Sequence, residues 1–75
     1  MSPHLDTAGL DARVLAYVAR GPTRFACIAA ELGAPRREID RSIQRLRKAG
    51  LIEMYGQPRR WHITGAGRAR MKESA

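Results

Sequence analysis

The sequence predicts a mainly α-helical domain carrying one small β-hairpin: a three-helix core, a two-stranded ribbon and a short C-terminal helix. Three observations predict it. Apolar residues recur with a helical period up to Gly50. The period changes to two immediately afterwards. Gly and Pro punctuate the chain at Gly21-Pro22, Gly33-Ala34-Pro35, Gly50 and Gly56-Gln57-Pro58, where one element must end and the next begin. Seventy-five residues make a single domain, with a core over about residues 8–72.

Residues 1–6 form a loose start. A first helix follows over about residues 7–20, with Thr7 as its N-cap and Leu10, Val14, Leu15 and Val18 on one apolar face. Gly21-Pro22 ends it. Thr23-Arg24 is either a one-bridge strand or the lead-in to the next helix. A short second helix over about residues 25–32 turns Phe25, Ile28, Ala29 and Leu32 inward. Gly33 suits a left-handed turn residue after it. Pro35 suits the first position of a third helix, over about residues 35–49, because its missing N–H costs nothing there. In that helix Ile39, Ile43 and Leu46 form the buried stripe, and Gly50 is the stop. Residues 51–55 and 60–64 read as paired strands around turn chemistry at Gly56-Gln57-Pro58-Arg59, with Trp61 and Ile63 inward. Thr64 then caps a last helix over about residues 66–72, which Gly65 and Gly67 weaken.

Charge is unevenly placed. The formal net charge is +7, and all of that excess lies in residues 35–75, where eleven Lys and Arg face four acidic residues. Such asymmetry favours a polyanionic partner, nucleic acid before membrane. No stretch is apolar enough to span a bilayer, and no signal-peptide pattern is present. The single cysteine, Cys27, allows no intramolecular disulfide and no metal site, and suits a small, half-buried apolar role in a reducing, intracellular setting. No paired carboxylates, nucleophile–base set, metal cluster or phosphate-cradling Gly loop occurs, so neither catalysis nor a cofactor is expected.

The third helix carries the candidate site. At about 100° per residue, Arg37, Arg41, Gln44 and Lys48 fall opposite the apolar stripe, with Arg45 at one edge. Arg forks match phosphates and guanine edges, and Gln suits adenine. Arg36 and Arg37 lie at the helix N-terminus, where backbone N–H groups also attract phosphate. Arg45 has an alternative place against the body of the domain. Asp40 is expected to orient Arg36, Arg37 or Arg41 through a local ion pair. Arg59 and Arg60 sit at the hairpin tip, and Trp61 plugs the space between hairpin and helix. Tyr17 and Tyr55 are expected at amphipathic edges, and His62 has no expected role.

Two helices joined by a tight turn around a Gly, followed by a hairpin, match the helix-turn-helix with a wing. Over about residues 8–72 the chain resembles the winged helix-turn-helix family. The resemblance rests on Ile28-Ala29-Ala30-Glu31-Leu32-Gly33, on residues 39–46, on Lys48-Ala49-Gly50-Leu51-Ile52-Glu53 and on Ile63-Thr64-Gly65-Ala66-Gly67-Arg68. The segments LRKAGLIE and ITGAGR look like small bacterial and phage regulators of the MarR-like kind. A narrower resemblance, through LGAPRREIDRSIQRLRKAG and GQPRRW, is to the Z-alpha domain, which binds Z-form DNA and RNA. It implies phosphate contacts by Arg36, Arg37 and Arg41, and places Pro58 and Trp61 on that family's wing residues. Asp40, Gln44 and Arg59 depart from its pattern.

The resemblance therefore implies a duplex DNA-binding protein, a small transcription regulator acting in the cytoplasm on the nucleoid, as a monomer or homodimer. Its third helix would enter the major groove, and its wing would touch the backbone or minor groove. The contacts expected are Arg36, Arg37, Arg41, Gln44, Arg45, Lys48, Arg59, Arg60 and Trp61. The alternatives are Z-form binding and a protein-interaction adaptor that uses Leu5, Leu10 and Tyr17.

Overall fold

The computed structural model describes residues 7–74. Among them four helices and one hairpin follow in the order α1 (Thr7–Ala19), α2 (Phe25–Leu32), α3 (Arg36–Lys48), β1 (Ile52–Tyr55), β2 (Arg60–Ile63) and α4 (Gly65–Ser74). The fold is mainly helical with an antiparallel two-stranded ribbon, a winged-helix-like arrangement. The expected loose start over residues 1–6, and Leu5 as a partner contact, lie outside the described residues. The capping role expected of the Thr7 side chain is likewise outside them.

The helix ends show the local chemistry at work. α1 closes one residue earlier than expected, because the Arg20 and Gly21 N–H groups bond the Tyr17 and Val18 carbonyls in a tightened last turn. Gly33 holds the left-handed conformation at φ 64° and donates its N–H to the Ala29 carbonyl. Pro35 is not the first helical residue, as expected, but the one before it. Its φ of −55° and ψ of 141° are extended, and its carbonyl accepts the first α3 bond, from Ile39 N–H. At the other end Gly50 takes φ 76°. Its N–H bonds the Arg47 carbonyl, and Leu51 N–H bonds the Leu46 carbonyl, which is a Schellman closure. That closure draws Leu51 out of the strand, so β1 begins one residue later than expected.

The core joins Val14, Leu15 and Val18 of α1, Ile28 of α2, Ile39, Ile43 and Leu46 of α3, and Leu51, Ile52 and Trp61 from the wing. Each such side chain contributes about 1.5–3 kcal/mol on burial. Leu10, expected on the apolar face, and Tyr17, expected at an amphipathic edge, both pack partly buried against this core, which leaves little of either for the adaptor alternative. Thr23 combines both of its expected roles' neighbours. It forms an isolated antiparallel bridge with Trp61, while Arg24 takes the N-cap position of α2. The two Thr23–Trp61 backbone bonds, at 2.6 and 3.1 Å, tie β2 to the body of the domain.

The last helix starts at Gly65 and runs longer than expected. Thr64 caps it as expected: its hydroxyl accepts the Gly67 N–H at 3.0 Å and donates to the Gly50 carbonyl at 2.6 Å. Gly67 is buried, and a Cβ there would overlap the Leu51 carbonyl oxygen and stand 2.7 Å from the Ile63 side chain. The glycine that weakens the helix by propensity is what lets it approach the wing.

Candidate nucleic-acid interface

α3 presents two chemically distinct sides. Ile39, Ile43 and Leu46 are buried, while Arg37, Arg41 and Lys48 are exposed on the opposite side and Gln44 is half-exposed between them. No side chain caps the N-terminus of α3. The first-turn N–H groups therefore point outward beside Arg36 and Arg37, adding the positive end of the helix dipole to two guanidinium groups. Arg36 is steadied by Phe25, whose ring its guanidinium overlies at 4.9 Å.

The ion pairs differ from the expected ones. Arg41 is partnered by Glu38 at 3.9 Å, not by Asp40. Among the described residues Asp40 makes no ion pair with Arg36, Arg37 or Arg41. Gln44 is also pre-engaged: Arg47 Nε and Nη2 both donate to its Oε1, at 3.1 Å each. The carboxamide thus turns its NH₂ outward, as a donor. With Oε1 taken up by Arg47, the acceptor half of the Gln44 carboxamide is engaged within the helix. The i,i+3 spacing of Gln44 and Arg47 is the signal in the sequence for this coupling.

Arg45 lies against the body, its alternative place. Its guanidinium meets the Asp11 carboxylate on α1, Nη2 to Oδ1 at 2.8 Å and Nε to Oδ2 at 3.0 Å. The hydrogen bonds that it donates to Asp11 raise its pKa above the ordinary arginine value. The same Oδ1 accepts the hydroxyl of Ser42, which has 0% exposure, at 2.5 Å. Ser42 falls within the apolar arc of α3, where a polar side chain needs a buried partner. That position was the signal for the Asp11–Ser42–Arg45 cluster.

In the wing, Ile52 pairs with Ile63 and Met54 with Trp61 on one face, of which Ile52, Ile63 and Trp61 pack against the core while Met54, nearer the tip, is exposed. Trp61 is 8% exposed and belongs to that core, so its place is the plug between wing and helices. Arg59 is exposed at the tip. Arg60 is half-buried, and its Nη1 donates to the Arg59 carbonyl at 2.8 Å. Of the nine expected contacts, six face solvent on α3 or the tip: Arg36, Arg37, Arg41, Gln44, Lys48 and Arg59. Arg45, Arg60 and Trp61 are wholly or partly engaged within the domain.

No group of three or more His, Cys, Asp or Glu side chains among the described residues is arranged to hold a metal ion. No helix among the described residues is long and apolar enough to cross a membrane. Comparison with protein-family models finds no match, and comparison with curated proteins finds none either.

Proposed function

We propose that this chain is a duplex DNA-binding protein of the small bacterial or phage transcription-regulator type, acting in the cytoplasm. One observation carries the reading. Arg37, Arg41, Gln44 and Lys48 occupy the outward face of a helix whose other face is locked into the core. A rigid helix with that face matches the width of the major groove and the charge of its walls. Arg36 and the uncapped first turn would hold a phosphate. Arg59 would reach the neighbouring backbone from the wing tip. Neither a catalytic step nor a cofactor enters this reading.

Titration of random-sequence duplex at several salt concentrations tests it. Affinity should fall with a log–log slope of roughly 0.9 per phosphate contacted. Replacing Arg59 and Arg60 together by Ala should reduce that slope by somewhat under about 2. A salt-independent affinity, or no binding at low salt, overturns the proposal.

A second reading, an assembly adaptor, is favoured by a groove of about 590 Å³ between α1, α3 and α4, floored by Ala12, Ala16, Ala49 and Met71. A second copy of the chain would be the occupant. Sizing of the free protein tests this second reading, which requires a dimer without DNA and is overturned by a monomer.

A further inference from the structure

The outer face of the wing covers no part of the core. Its residues are Glu53 opposite His62 and Tyr55 opposite Arg60. Burial alone asks only for polar side chains there. Two rings stand there instead. Tyr55 and His62 lie nearly parallel, 17° apart, with centroids separated by 3.9 Å. Tyr55 remains 52% exposed, the most exposed large hydrophobic side chain among the described residues. Gly56, with φ 101°, follows Tyr55 and carries no side chain that could lean over the rings. Arg60 flanks Tyr55 across the strands and Arg59 stands at the tip, while Glu53 sits at the far end of the face, away from the tip.

Two stacked rings with an exposed member, bordered by guanidinium groups, have the chemistry of a stacking platform for single-stranded nucleic acid. The aromatic surface takes the π-face of a base, and the cations take its phosphates. Bases within a duplex are stacked on both sides and cannot use it. We infer that the Tyr55–His62 pair stacks unpaired nucleobases of a DNA strand that runs on from the duplex held by α3. The inference rests on the proposed duplex binding for the duplex part and on the wing alone for the unpaired part.

Three fluorescently labelled ligands test it by anisotropy: a blunt duplex, the same duplex with a short thymine overhang, and the same overhang made abasic. The two overhangs carry equal phosphate charge and differ only in their bases. The thymine overhang should bind about tenfold more tightly than the abasic one, the scale of one base–aromatic stack. Tyr55→Ala should remove that difference, and Tyr55→Trp should keep it. Thermal melting monitored by circular dichroism checks that both variants are folded. Equal affinity for the two overhangs in the wild-type protein, or a difference that survives Tyr55→Ala in a folded variant, overturns the inference. Failure to bind the blunt duplex counts against duplex binding alone. A thymine preference persisting on free single strands would then still support the platform.

Discussion

Asp11 on α1 holds Arg45 on α3, 34 residues away, through three hydrogen bonds donated by the guanidinium, while the same carboxylate receives the buried Ser42 hydroxyl. The cluster adds a polar tie between α1 and α3 to their apolar contact in the core. It also pairs one cation that stays at the surface, with its side chain 40% exposed. An exposed ion pair of this kind is worth little by itself. The fully buried Ser42 hydroxyl raises the stakes, because it needs an acceptor wherever water cannot reach.

Replacing Asp11 by Ala should therefore act in two ways. Loss of the acceptor for Ser42 should destabilise the domain by about 1–3 kcal/mol in chemical denaturation. The released Arg45 should add one phosphate contact and steepen the salt dependence of duplex binding by about 0.9. An unchanged slope in the folded variant would show that Arg45 stays out of reach even when free.

The junction between wing and α4 offers a sharper stability test. Thr64→Ala removes the cap of α4 and the bond to the Gly50 carbonyl, and should cost about 1–2 kcal/mol. Gly67→Ala improves helix propensity yet should cost about 1–3 kcal/mol, because the added methyl meets the Leu51 carbonyl and Ile63. A Gly67→Ala variant with a raised melting temperature would show that α4 does not pack this closely.

Cys27 is half-buried, as expected of a small apolar residue, yet the neighbouring Arg24 side chain holds the thiol below its ordinary pKa. The thiolate is therefore favoured by folding. This contribution is present above the unfolded-state pKa and is lost as pH falls through the lowered folded value. Alkylation by iodoacetamide should accordingly switch on at lower pH than in a free cysteine peptide. Arg24→Ala should move the midpoint back up. Coincident midpoints for protein and peptide would contradict this role of Arg24.

Gln44 separates B-form from Z-form binding. A Z-form reader stacks an aromatic ring on a syn base at this position, and an amide has no ring to offer. Alternating CG duplex should keep its B-form circular dichroism spectrum at moderate salt when the protein is added. Gln44→Ala should weaken a preferred B-form site by roughly 1–3 kcal/mol and relax preference at one base pair. Arg47→Ala frees Gln44 Oε1 and should shift that preference towards adenine. Inversion of the CG spectrum by the wild-type protein would favour the Z-form alternative.

Much of the architecture was legible in the chain because it depends on local periodicity and local backbone needs. The span of α2, the αL turn at Gly33, the stop at Gly50, the stripe of Ile39, Ile43 and Leu46, and the Thr64 cap all follow from spacing and turn chemistry within a few residues. The outward side of α3 followed from the same geometry. What only the tertiary structure decided is where charged and polar groups spend their bonding capacity. Arg45 could face solvent or α1 until Asp11 was brought alongside it. Ser42 had no visible partner until α1 crossed α3. Gly67 read as a helix-weakening residue until the Leu51 carbonyl came to lie against it. Tyr55 and His62 became a pair only through the strand register. Hydrophobic burial follows a pattern written along the chain, whereas a hydrogen bond or an ion pair is directional and short-ranged, and its partner is known only when distant segments meet.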